Sequence, residues 1–239
     1  MDERMQTLER LFAEGRQNEA EPYLIRELKK ADEEKRYEDY AAIANQMVGL
    51  YQATGQYDKA AAASEDLLLL LEELQQDETE YFAMVLLNHA NGYRDGGRAK
   101  EAGETYRRCE ALLRQLGGSD LSFAALDSNL GLFYLGQQEY AAAEQAFRAA
   151  NKRFAAAGAE DDPHFLTNLA GAGEALFRQG KGEAALEQYE KALALLREQG
   201  GADESYALLC QNCAAVAESL GDPLTAQQYR DCAEAASRR

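Results

Sequence analysis

Leu169-Ala-Gly-Ala-Gly-Glu-Ala-Leu-Phe-Arg-Gln-Gly-Lys-Gly-Glu-Ala-Ala-Leu-Glu-Gln-Tyr-Glu-Lys-Ala-Leu193 is the stretch that decides the fold. It reads as two helices around a short turn at Gly180, with apolar residues at helical spacing on both sides. Gly171, Gly173 and Ala185 are small enough for the two helices to approach closely, and Tyr189 is large enough to fill the space beside them.

Working outward, the pattern recurs. The turn position is held by Gly55, Gly97, Gln138, Gly180 and Gly221, at steps of 42, 41, 42 and 41 residues. Other positions keep register with it. Four residues before the turn stand Tyr51, Tyr93, Tyr134, Leu176 and Ala217; seven before, Val48, Ala90, Gly131, Gly173 and Ala214. Five after stand Ala60, Ala102, Ala143, Ala185 and Ala226; nine after, Ser64, Tyr106, Phe147, Tyr189 and Arg230. A weaker copy turns at Gly15, with Ala20 five later. Self-similarity at a fixed period marks a repeat architecture, in which each hairpin buries its apolar stripe against its neighbours.

These landmarks resemble a tetratricopeptide repeat array. The usual unit of that family has 34 residues; a period near 42 resembles the longer repeats of kinesin light chains and their bacterial relatives. Asp162-Pro163 opening a helix seventeen residues before Gly180 matches that subclass. The resemblance departs at the first repeat, at Gln138 in a glycine place, and in the last repeat. It implies an all-α fold, a right-handed superhelix of about six hairpins. The expected organisation is one solenoid domain over 1–239, with a divergent repeat 1–34 and repeats 35–76, 77–118, 119–160, 161–201 and 202–239. Gly117–Asp120, Gly158–Asp162 and Gly200–Asp203 read as turns between hairpins.

In such arrays the first helix of each hairpin lines the concave face. Nine residues before the turn stand Gln46, Asn88, Asn129, Gly171 and Asn212. Asparagine costs helix propensity because its amide competes for nearby backbone. The resemblance implies a ladder of amides that bind the backbone of an extended peptide; local capping or packing is the alternative. The groove set is Asn45, Gln46, Asn88, Asn91, Arg94, Asn129, Glu174, Arg178 and Asn212. Thirteen before the turn stand Ala42, Met84, Ala125, Thr167 and Leu208. Family members that clamp a terminal carboxylate carry Lys or Arg near there, so that mode is disfavoured.

The 239 residues carry 25 Lys and Arg against 42 Asp and Glu, a net charge of −17. This argues against nucleic acid or an anionic membrane surface as partner. Residues 1–80 hold 20 acids and 9 bases; this reads as a solvated helix face, or as a docking surface for a basic segment. The charged start lacks an apolar leader and no stretch is apolar enough to span a membrane, so a cytoplasmic location is expected. Leu67–Leu71 runs round a whole helix. Elsewhere Glu110-Ala111 and Asn151-Lys152 occupy the places of Leu68 and Leu69, so an exposed Leu68–Leu69 pair marks a homodimer face, or else the helix is simply more buried.

No phosphate-cradling glycine loop, zinc-protease or nucleophile-elbow motif is present. His89 sits at a packing position, and His164 at a helix start reads as a surface residue. Cys210 and Cys213 fall mid-helix with no second pair, so Cys109, Cys210, Cys213 and Cys232 read as small apolar residues rather than ligands. No metal, no cofactor and no catalysis are expected. The function expected is a scaffold for a protein or peptide; the alternatives are self-assembly, or a signalling-peptide sensor acting on a separate regulator.

Overall fold

The computed structural model describes residues 3–199 and 204–237; the turn expected at Gly200–Asp203 lies outside them. The chain divides into two compact units, Met1–Gly117 and Gly118–Arg239.

The first unit holds α1 (Glu3–Ala13), α2 (Ala20–Glu33), α3 (Tyr37–Ala53), α4 (Tyr57–Glu73), α5 (Glu80–Asp95) and α6 (Ala99–Leu116). A short 3-10 turn, Gln17–Glu19, precedes α2. The second unit holds α7 (Asp120–Gly136), α8 (Tyr140–Ala156), α9 (Pro163–Arg178), α10 (Gly182–Glu198), α11 (Glu204–Ser219) and α12 (Pro223–Ser237). Among the described residues every regular element is a helix. Helices pair in chain order, and within each unit hairpins pack on the next through the second helix: α2 on α3 and α4 on α5 in the first, α8 on α9 and α10 on α11 in the second. The divergent first repeat is itself a helical pair, with Ala20 fully buried.

The turn register has one physical basis. Gly15, Gly55, Gly97, Gln138, Gly180 and Gly221 all have left-handed backbone, Gln138 at φ 62°. The next residue's N–H then reaches back to the carbonyl four before the turn: Gln56 to Tyr51 (2.8 Å), Arg98 to Tyr93 (2.8 Å), Glu139 to Tyr134 (2.9 Å), Lys181 to Leu176 (3.0 Å) and Asp222 to Ala217 (3.0 Å). This closes the first helix and turns the chain back at once. Gln138 keeps the geometry without the glycine. Three first helices, α5, α7 and α9, begin on side-chain caps instead. Thr79 Oγ1 accepts from the Phe82 N–H, Ser119 Oγ from Ser122, and Asp162 from His164, with Pro163 at the first helical position.

Close packing inside a hairpin explains the small-residue registers. A Cβ added at Gly131 would stand 2.5 Å from the Phe147 ring, and one at Gly173 2.9 Å from Tyr189. Phe147, Tyr106 and Tyr189 are fully buried there. First helices of neighbouring hairpins also touch, α3 with α5 and α7 with α9.

Candidate functional site

The expected groove residues fall on first helices in both units. In the first unit α3 and α5 bring several together. Asn88 Nδ2 donates to Asn45 Oδ1 at 3.1 Å, and Gln52 Nε2 donates to the Asn88 carbonyl at 2.8 Å. Gln46 is half-buried on the same α3 segment. Asn91 Oδ1 accepts from the Tyr106 hydroxyl at 2.7 Å and from Arg94 Nη1 at 3.3 Å. Arg94 Nε donates to Asp95 at 2.8 Å.

The second unit is different. Asn129 is only 9% exposed, and its Nδ2 donates to the Ala125 carbonyl one turn earlier at 2.9 Å. Gly171, at the same register, makes room for a ring: a Cβ there would lie 2.5 Å from Phe147. Glu174 accepts from Arg178 at 2.7 Å and from the Tyr189 hydroxyl at 3.2 Å. Asn212 is half-buried on α11.

Two pairings escape a reading of single registers. Where the second helix offers a tyrosine hydroxyl nine after the turn, the first helix offers an acceptor six before it: Asn91 for Tyr106 and Glu174 for Tyr189. Where it offers Phe147, the first helix offers Leu132, packed in the same apolar cluster. Asn91 and Glu174 therefore tie the two helices of a hairpin together. The other pairing is a buried amide. Asn168 stands twelve before the turn, a register otherwise held by Ile43, Val85, Leu126 and Leu209. It is fully buried, and its Nδ2 donates to Ser128 Oγ and Asn151 Oδ1, both at 2.9 Å. Its Oδ1 has no protein partner.

Apolar side chains are exposed beside the amides. Met84 is 40% exposed one turn before Asn88, and Leu208 is 57% exposed one turn before Asn212. The intervening hairpins hold Ala125 and Thr167 at that register.

The expected leucine pair needs correction. Leu68 is 5% exposed and Leu69 is 54% exposed. Leu68 faces inward, as does its counterpart Leu193 on α10, whereas Glu110 and Asn151 are half-buried and Glu234 is exposed. Only Leu69 faces solvent.

Cys109, Cys210 and Cys213 are buried, and Cys232 is exposed. Burial pushes the Cys109 and Cys213 thiols up to about 12, so they stay protonated at neutral pH. His89 is buried with Nδ1 2.7 Å from Ser64 Oγ, and burial lowers its pKa, which keeps the ring neutral. Among the described residues no cluster of His, Cys, Asp and Glu could hold a metal ion, and no helix is long and apolar enough to cross a membrane.

Solved structures with the same hairpin order bear on the fold. BtubC (BKLC) from P. vanneervenii superposes with a TM-score of 0.79 at 19% identity, over 90% of this chain and 88% of that one. The fold is that of a tetratricopeptide repeat solenoid. Kinesin-light-chain-type, nearly identical TPR-like repeats from Podosopora anserina superpose with a TM-score of 0.67 at 18% identity, over 81% of this chain and 92% of theirs. MamA does so at 0.56 and 18%, over 82% of this chain and 91% of MamA. No family profile matches the chain, and no curated protein does.

Proposed function

We propose that this tetratricopeptide repeat chain is a non-catalytic interaction scaffold whose first helices hold an extended segment of a partner protein. One observation carries the reading: Met84 and Leu208 are exposed at one register, each a turn before an asparagine, Asn88 and Asn212. An exposed apolar side chain beside a backbone-binding amide is what a side-chain pocket on a peptide-reading face requires.

Magnitudes favour this combination over amides alone. Each amide contact contributes ~0.5–1.5 kcal/mol net. Three of them reach only about millimolar affinity. Covering a Met or Leu side chain adds ~1.5–3 kcal/mol. In the first unit Asn88 and Asn45 already hold each other, so a ligand there exchanges one amide bond for another and gains chiefly from Met84.

The test is affinity capture from lysate of the source organism, read by mass spectrometry. The wild-type chain is compared with one carrying Met84→Glu, Asn88→Ala and Leu208→Glu. All three positions lie at least partly open on helices, so helicity by circular dichroism is expected to hold. A partner retained by the wild type and lost by the variant supports the assignment. Equal recovery on a folded variant moves the interface off the first helices.

A further inference from the structure

The second helices of the first unit carry a separate feature. A groove of about 370 Å³ runs between α4 and α6 above α5. Leu68, Leu69 and Leu86 are the apolar residues lining it, and Leu69 is the exposed one. The Leu69 register, fourteen after the turn, is solvent-facing in every later hairpin, where it holds Ala111, Lys152, Ala194 and Ala235. Only α4 places a large apolar side chain there. Leu69 is 54% exposed, so burial within its own unit does not account for it.

The rim states what would cover it. Glu65, Glu72, Glu101 and Glu104 line the groove, with Arg108 as the cation among its lining residues. Arg108 already bonds Glu72 at 2.7 Å, and Glu101 is taken by Arg98 at 3.1 Å. Glu65 and Glu104 are paired with no cation among the described residues. A second copy of this chain brings a net charge of −17 to that rim and is repelled.

We infer that the α4–α6 groove docks a short basic segment of a partner protein, with an apolar side chain seated on Leu69 and flanking Lys or Arg on Glu65 and Glu104. The segment's charge speeds encounter and its apolar residue fixes the register. This site lies on second helices and is distinct from the first-helix face proposed above.

The experiment uses the full chain and a fluorescein-labelled peptide of alternating Lys-Lys and Leu-Leu pairs, with a control peptide in which every leucine is serine. Anisotropy titrations are run across a salt series. The wild type is expected to prefer the leucine peptide by about tenfold or more, which is ~1.4 kcal/mol. Leu69→Glu, at an exposed position, is expected to erase that preference although it adds an attractive charge. Glu65→Gln with Glu104→Gln is expected to weaken binding and flatten its salt dependence. Leucine-peptide binding by Leu69→Glu as tight as wild type, or tighter, overturns the inference, because charge alone then accounts for the affinity. So does a wild-type dimer, seen by light scattering, that Leu69→Glu dissociates.

Discussion

The hairpin α5–α6 and the hairpin α7–α8 share a register and solve it in opposite ways. In α5–α6 the buried ring is Tyr106, whose hydroxyl is held by Asn91 and Arg94. In α7–α8 it is Phe147, which sits between Gly131 and Gly171, with Leu132 in the same cluster. The polar solution keeps amides on the first-helix face. The apolar one uses that face for packing, since Gly171 stands where Asn88 stands one pair of hairpins earlier. A repeat register is therefore a place in the fold rather than a role, and what fills it depends on the ring across the hairpin.

The comparison breaks most sharply at the glycines. Gly171→Ala presses a methyl into Phe147 and is expected to destabilise the second unit by ~1–3 kcal/mol. Gly49→Ala lies on the corresponding face of α3 with open space around it, and should instead stabilise the first unit by ~0.5–1 kcal/mol. Urea unfolding of both variants checks the pair, and a loss at Gly49 would show that the face itself resists side chains. Exchanging the rings is the next test. Phe147→Tyr buries a hydroxyl where Leu132 offers no acceptor and should cost ~1–3 kcal/mol, while Tyr106→Phe forfeits the bonds to Asn91 and Arg94 at ~0.5–1.5 kcal/mol each. No cost for Tyr106→Phe would mean that the bonds to Asn91 and Arg94 contribute nothing to the hairpin.

The turn of α7–α8 provides a smaller effect. Gln138→Gly relieves a left-handed non-glycine residue and should raise stability by ~1 kcal/mol in thermal unfolding. Gly97→Gln should lower it by a similar amount. The smallest effect is in pH dependence. Burial raises the Glu144 pKa, but Lys181 and Gln179 outweigh it and hold the carboxyl below its ordinary value. The folded pKa is thus lower than the unfolded one. The stabilisation is full above about pH 4.3 and is lost as pH falls through the folded value. Glu144→Gln should flatten that acid limb. In the first unit, Glu21 with Lys59 and Tyr51 makes the equivalent link between successive hairpins, and Glu21→Gln should act the same way.

The hairpin order was legible in the sequence because the turn requires left-handed backbone, and glycine records that need at four of the five clear turns. Gln138 was legible only from spacing. The first-helix amides were legible as a register, but their partners were not. Asn91 and Tyr106 lie on different helices, and their link shows only when the residue six before the turn is compared with the residue nine after it. Asn168 was readable in the same way, as an amide in a column of Ile, Val and Leu. Leu68 was misjudged because its register was read from two polar counterparts, whereas Leu193 is the one that matches its environment.

The central claim is that the first helices hold the partner. The most direct measurement is a calorimetric titration of the captured partner segment against the wild-type chain and against Met84→Glu with Asn88→Ala and Leu208→Glu. A loss of about tenfold or more, with helicity intact, is the predicted result. Unchanged affinity in the folded variant would contradict it.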